Sequence, residues 1–336
     1  CAGDTLFINF SVQNGNPPYT IIIGNNDISF SKYVMYPRSY DSIKLHLESS
    51  QIIKMLTIKD DSGCLADPLN FKNEARIQIY KVPSPMIDGE KEVCGNTTMV
   101  RAIKSIDTSR IFWSGEKVQF TNNNYVNTSV LAENYGQHTI YLTEKNWNCI
   151  NTDSLSIIFY KLPEIVDAGS DQILDFKFRT TLNARVPDVG YGVWKIIEGN
   201  GHIADSLNPN TYVYGLDFKN TFLWTVINGV CPHLSDTIVV LVNPLKISKV
   251  ITPNNDNIND QFKIEIDNLE NAHLIIFNSR GDVVYENYNF RNDQEWNGNN
   301  MKNKNLPPGT YFYILKIKVK DKDNNFVYKG YIELIY

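Results

Sequence analysis

A repeat of about 80 residues constrains this chain more than any other feature. Tyr80-Lys81-Val82-Pro83 returns as Tyr160-Lys161-Leu162-Pro163, and Val242-Asn243-Pro244 places a third proline 81 residues further on. A fixed period marks one structural unit used several times, which excludes a single large domain. The prolines read as unit ends and divide the chain into 1–83, 84–163 and 164–244, with a remainder at 245–336 that breaks the period. A length of 336 residues accommodates four such units.

Inside each unit, short β-rich runs alternate with turn residues. In the second they fall at Thr98 to Ile103, Ser109 to Trp113, Ser129 to Leu131, Thr139 to Glu144 and Ser154 to Tyr160. Amphipathic helical periodicity beyond two turns is missing, so the expected class is all-β. The spacing is that of small immunoglobulin-like sandwiches, in which Trp113 and Trp194 would be core residues. The three units resemble the immunoglobulin-like and PKD-like repeats of bacterial surface proteins, and Asp167-Ala168-Gly169-Ser170-Asp171-Gln172 resembles their opening.

Cysteines keep the same beat. Cys64, Cys149 and Cys231 are 85 and 82 residues apart, each shortly before a boundary proline, while Cys1 and Cys94 open the first two units. The expected pairs are Cys1 with Cys64 and Cys94 with Cys149, each bridging one sandwich. Cys231 is left over, because Asp175 stands where an opening cysteine would be, and reads as a buried free thiol. Such pairing implies an oxidising, extracytoplasmic compartment. With no leader before Cys1 the sequence reads as a mature form with its leader removed or, in preference, as a fragment of something longer; a lipidated Cys1 is the alternative to a disulfide there.

The remainder carries a different string. Ile251-Thr252-Pro253-Asn254-Asn255-Asp256-Asn257-Ile258-Asn259-Asp260 precedes a strand at Gln261 to Ile266. Leu274 to Phe277 and Asn278 lead into a turn at Gly281, followed by Trp296-Asn297-Gly298, Pro308-Gly309-Thr310-Tyr311 and Lys329-Gly330 near the end. Pro-Gly and Asn/Asp turn chemistry between alternating runs makes this a compact β-sandwich. In this order the motifs resemble the gliding motility-associated C-terminal domain, the type B sorting domain of the type IX secretion system of Bacteroidota. Asn255 and Asn257 replace two glycines of the family pattern, and Asn tolerates left-handed backbone best after Gly. The resemblance implies a domain read in its folded state by outer-membrane secretion components, through a porin-like barrel protein, with delivery to the cell surface or the medium. An edge strand at Gly330 to Tyr336 is the expected contact, by backbone pairing.

Other chemistry is sparse. The charge of −5 is spread along the chain, with no basic stripe for nucleic acid. No apolar run approaches the about 20 residues of a membrane-spanning helix. The five histidines, His46, His138, His202, His233 and His273, form no zinc spacing, and neither a nucleophile elbow nor a phosphate or dinucleotide loop occurs, so no enzyme and no cofactor are expected. Asp256 and Asp260 make a weak calcium candidate for which turn chemistry is the plainer account. Arg280-Gly281-Asp282 matches an integrin-ligand tripeptide, but a hairpin explains it. Asp followed by Ser or Thr and an aliphatic residue, with acceptors Thr5, Ser42, Ser154, Ser206 and Thr237, resembles the O-glycosylation sequon of Bacteroidota surface proteins; strand starts are the alternative.

The combined expectation is three spacer sandwiches delivered by a terminal sorting domain. The competing readings are an adhesin, whose repeats bind a surface glycan, and the stalk of a secreted hydrolase.

Overall fold

The computed structural model describes residues 1–25, 29–35, 40–67, 74–291, 293–320 and 322–336. Every regular element among them is a β-strand, as the period-2 patterning requires. The chain divides into two compact units, Cys1–Tyr160 and Lys161–Tyr336.

In the first unit, Thr5–Ser11 pairs with Tyr40–His46, and Ser29–Met35, Tyr19–Gly24, Gln51–Lys59 and Glu74–Ile77 form a four-stranded sheet. Two further four-stranded sheets follow: Arg110–Gly115, Gly136–Asn146, Cys149–Tyr160 and Glu92–Cys94, then Val118–Phe120, Asn127–Ala132, Thr97–Ile103 and Met86–Gly89. Between these last two lie Val100, Val130, Ile140, Leu142, Ile157 and Phe159. Trp113 is buried there, stacked on Phe120 at 6.0 Å with its indole N–H donated to the carbonyl of Tyr125.

The second unit opens with Gln172–Asp175, Leu234–Asn243, Lys219–Ile227 and Tyr191–Glu198 in one sheet and Arg179–Thr181, Tyr212–Tyr214 and His202–Ile203 in another. Lys219–Ile227 alternates strictly, sending Asn220, Phe222, Trp224 and Val226 inward, and Trp194 packs on Trp224 at 4.9 Å. Burial of side chains this size stabilises by roughly 1.5–3 kcal/mol each.

One carboxylate recurs in the same task. Asp153 accepts a hydrogen bond from the Ile87 N–H and Asp236 one from the Ala168 N–H, both at 2.8 Å, so each latches the opening segment of its sandwich to the last strand. This gives the Asp of two Asp-Ser/Thr pairs a structural purpose.

The last sheet runs Val250–Ile251, Phe326–Leu334, Gly309–Val319, Leu269–Phe277 and Val283–Asn287, faced by the small pair Phe262–Lys263 and Glu295–Trp296. Gly309–Val319 buries Tyr311, Tyr313, Leu315, Ile317 and Val319 on one face. The run from Gln261 to Ile266 forms a ladder only at Phe262–Lys263, although Phe262, Ile264 and Ile266 are buried.

The expected disulfides are corrected. Cys1 is bonded to Cys149 with Cα atoms 5.5 Å apart, Cys64 is free and exposed, and both Cys94 and Cys231 are disulfide-bonded, so Cys231 is not the leftover thiol. Strand length is the reason. The Gly3 N–H is bonded to the Leu47 carbonyl, just before Gln51–Lys59 starts, whereas Cys64 lies just past its other end; nine residues of strand span roughly 30 Å. Likewise Cys94 is in register with Tyr160 at one end of Cys149–Tyr160, and Cys149 is at the other. A disulfide needs Cα atoms within about 7 Å, so the opening cysteine and the later one of a single sandwich cannot meet. The core tryptophans pack on aromatic rings, Trp113 on Phe120 and Trp194 on Trp224. With its sulfur in a disulfide, Cys1 has no sulfur left for a lipid thioether, which sets that alternative aside.

Candidate recognition surface of the terminal sandwich

The strand registers sort the terminal sandwich into two poles. Leu269 opposite Val319, Phe326 and Lys322 mark one; Phe277 opposite Phe312, Gly309 opposite Leu334 and Ile251 beside Leu334 mark the other. The first pole packs on the preceding sandwich. The Phe326 ring lies 5.3 Å from those of both Phe176 and Phe178 and 6.1 Å from that of Phe218. Arg179 grips the Asp267 carboxylate through two N–H groups at 2.8 and 3.0 Å, and Lys322 reaches Asp217 at 2.7 Å while its ammonium lies over the Phe178 ring. Lys322 and Arg179 hold Asp217 and Asp267, respectively, below the ordinary carboxylate range, and the Asp267 bond raises Arg179.

The motif residues gather at the other pole. The loop after Ile251 is wound around Asp260, whose carboxylate accepts the N–H groups of Asn254, Asn255 and Asn257 at 2.8–3.0 Å. Asp256 takes the Ile258 N–H and the Asn254 side-chain amide, and Thr252 closes the loop through its N–H to Asn259 and its hydroxyl to Ile258. Asn255, Asn257 and Asn259 all have positive φ, so Asn255 and Asn257 occupy the left-handed conformation for which the family pattern uses glycine. Pro253, beside Thr252, is half-buried. Both candidate calcium carboxylates thus act as backbone acceptors.

At the same pole, the Asn278 side chain accepts from the Arg280 and Asp282 N–H groups and donates to the Asp282 carboxylate, with Gly281 at the bend; Arg280-Gly281-Asp282 is therefore a hairpin turn after Phe277. Trp296 is buried and donates its indole N–H to the Asn299 carbonyl at 2.7 Å. Gly298 has φ +83°, and a Cβ there would stand 2.7 Å from a Leu334 methyl, so the glycine seats the end of the chain. The Tyr336 hydroxyl donates to the Leu306 carbonyl and that of Tyr311 to the Pro307 carbonyl, just before Pro308 and Gly309. Burial raises the Tyr311 and Tyr336 phenols. Thr310 bonds Glu333 across the strands. Gly330 lies against the Tyr313 ring, and Lys329 beside it is exposed.

Near this pole the chain end is not itself an open edge, because the short strand Val250–Ile251 lies outside it. The Glu333 and Ile335 N–H groups are taken by the Lys249 and Ile251 carbonyls. On the opposite edge the Met301 N–H donates to the Val284 carbonyl and its sulfur accepts the Glu286 N–H. Covered edges of this kind discourage strand addition. Sequence reasoning did not reach Met301, which nothing in the local pattern distinguishes, or the ion pairs of the first pole, whose partners are 88 and 105 residues apart.

Of the proposed sugar acceptors, Thr5, Ser154, Ser206 and Thr237 are exposed and Ser42 is half-buried. The buried carboxylate of Glu144 is satisfied by Ser105, Ile106 and Ser109; burial pushes it up, but those bonds outweigh it and hold it below the usual range. His138 sits between the carbonyls of Glu116 and Asn134, and His273 bonds Glu286. Among the described residues no three acidic, His or Cys side chains cluster as a metal site.

Residues 245–334 match the CHU_C type IX secretion signal domain. The chain is therefore one exported to the cell surface or the extracellular space, and its end interacts with type IX secretion machinery. No curated protein matches the sequence. Among solved structures, domains 3–5 of the extracellular part of Drosophila OTK are 7% identical over 72% of this chain and 93% of theirs, with a TM-score of 0.33. The three N-terminal domains of the bacteriophage RB49 highly immunogenic outer capsid protein are 10% identical over 75% and 98%, with a TM-score of 0.30, and the D00-D0 domain of intimin is 10% identical over 48% and 100%, with a TM-score of 0.27.

Proposed function

Starting from a chain that ends in a type IX secretion signal domain, we propose that the motif-bearing pole of residues 245–336 is what the outer-membrane machinery reads, in its folded state, through a porin-like barrel protein. The supporting observation is convergence: the 252–260 loop, the 278–282 hairpin, Trp296 to Gly298, Pro308 to Tyr311 and the chain end meet at one pole, while the opposite pole is occupied by the preceding sandwich. Because the Glu333 and Ile335 N–H groups at the chain end are already paired, recognition runs over loop surfaces in preference to strand addition there. The sandwiches at 1–83, 84–163 and 164–244 act as non-catalytic spacers. The test is a periplasm-directed fluorescent protein fused to residues 161–336, a compact unit. Surface or medium fluorescence that requires the secretion machinery supports the reading, and periplasmic retention refutes it.

Adhesion is the second reading, favoured by one specific feature. The His202 ring lies tilted against Tyr214 at 5.2 Å and Tyr214 stacks on Tyr212 at 6.0 Å on a partly exposed sheet, and Tyr212 also lines a polar groove of about 930 Å³ with Asp171, Gln172, Lys177 and Asn183. Aromatic faces beside fixed polar groups suit a glycan. Retention on immobilised polysaccharide that Tyr212→Ala abolishes would establish it; equal passage of both proteins would remove it.

A further inference from the structure

The disulfide pattern assigns a role to the one free thiol. In the second sandwich Cys149 lies at the entry pole: its hairpin reaches back to the end of the first sandwich, where the Trp147 ring stacks on Tyr80 at 5.1 Å and the Asn146 amide donates to the Lys81 carbonyl. Cys1 lies at the exit pole of the first sandwich, since the Ala2 N–H donates to the carbonyl of Tyr80, the residue on whose ring Trp147 stacks. The bond between them therefore staples the exit of one sandwich to the entry of the next. Cys231 holds the place in the third sandwich that Cys149 holds in the second, and it too is disulfide-bonded.

Cys64 holds the entry position of the first sandwich. It follows Gln51–Lys59 as Cys149 follows Gly136–Asn146 and Cys231 follows Lys219–Ile227. Its turn is fixed: Asp60 accepts from the N–H groups of Cys64 at 2.8 Å and Asn16 at 3.1 Å, and donates its own N–H to the Cys64 carbonyl at 3.0 Å. The thiol is exposed, and so is Leu65, which stands where Ile150 stands beside Cys149. Asp61 replaces Asn146, so the amide clamp is not repeated.

We propose that Cys64 is the entry half of a further staple, taking as partner the opening cysteine of another immunoglobulin-like sandwich, placed relative to it as Cys1 is to Cys149. The two equivalent cysteines, both oxidised, point to a thiol as the ligand, and an odd cysteine in an exported chain points the same way. Each thiol loses one proton and the pair loses two electrons to the disulfide of a protein oxidoreductase, which leaves as a dithiol.

The test uses the protein taken from the surface of its native host, alkylated with iodoacetamide before any handling, digested without reduction and read by mass spectrometry. The expected result is a Cys64 peptide joined to a second peptide whose cysteine immediately precedes the first strand of a sandwich repeat, released by reduction and lost in Cys64→Ser while the Cys1–Cys149 peptide persists. A partner peptide from the same polypeptide makes the staple a tandem joint, and one from another polypeptide makes it an attachment between chains; either upholds the assignment. An alkylated Cys64, a Cys64–Cys64 link between two copies, or a small-thiol cap overturns it.

Discussion

Two joints in this molecule solve one problem by different chemistry. Between the first two sandwiches the contact is narrow: a disulfide, one stacked pair at Tyr80 and Trp147, and side-chain amides from Asn146 and Asn151 to the carbonyls of Lys81 and Pro83. Between the third sandwich and the terminal domain the contact is a continuous core, with Phe176, Phe178 and Ile266 in one buried cluster and Arg179–Asp267 and Lys322–Asp217 at its rim. A covalent staple needs little buried area, because it acts by restricting the unfolded chain. An aromatic joint works only while folded surfaces meet. The signal domain is thus presented on a noncovalent footing that persists under reducing conditions, whereas the joint between the first two sandwiches depends on oxidation.

The largest effects come from breaking each joint by its own means. Cys149→Ser opens a loop of 148 residues, for which chain entropy sets a loss of up to about 5 kcal/mol. Calorimetry should show the first unit destabilised, with new proteolytic cleavage near Lys81; a loss below about 1 kcal/mol would mean that Tyr80 and Trp147 hold the joint without the bond. Next is Phe178→Ala, which empties a site only 3% exposed between the two domains and is expected to cost about 3–4 kcal/mol in the second unit. Urea unfolding should show that loss there with the first unit unmoved. Retention of full stability would mean that the aromatic cluster is incidental.

The same contrast explains what could be read from residues alone. Alternation in Lys219–Ile227 and Gly309–Val319 shows in the sequence because a strand's side chains report its two faces directly. Trp113 and Trp194 were legible as core for that reason. The terminal motifs were legible because turns are local: Asn255 and Asn257 need only their own backbone geometry. Cysteine partners were not. Equal spacing marks equivalent positions, but whether two positions share an end of a sandwich depends on the strands between them, and Gln51–Lys59 and Cys149–Tyr160 carry the chain from one pole to the other. The aromatic joint was hidden likewise, since Phe178 and Phe326 look like ordinary core residues until both sandwiches are assembled.

Acid sharpens the comparison at smaller scale. Asp217 and Asp267 have folded-state pKa values depressed by Lys322 and Arg179. Their contribution is fully present above the unfolded carboxylate value, about 3.9, and is lost as pH falls through the folded values. Lys322→Ala should therefore cost roughly 1 kcal/mol at pH 7, and urea midpoints of mutant and parent should converge at lower pH as Asp217 is protonated in both. A constant difference down to pH 2 would assign the Lys322 effect to its packing over Phe178.

The smallest prediction compares one hydrogen bond made twice. Asn146 donates its side-chain amide to the Lys81 carbonyl at 2.9 Å, and Asn228 donates its own to the Lys161 carbonyl at 2.7 Å, at equivalent places in successive repeats. The first is exposed and shares its work with the staple and the Tyr80–Trp147 stack; the second is partly buried, so its loss leaves the Lys161 carbonyl less well solvated. Asn228→Ala should then cost about 1 kcal/mol and Asn146→Ala less than about 0.5 kcal/mol, measured by urea unfolding of each unit. In a Cys149→Ser background the Asn146→Ala cost should rise toward that of Asn228→Ala, because the amide then carries more of the joint. Equal costs in both backgrounds would show that the staple and the amide act independently, and would reduce the first joint to its covalent bond.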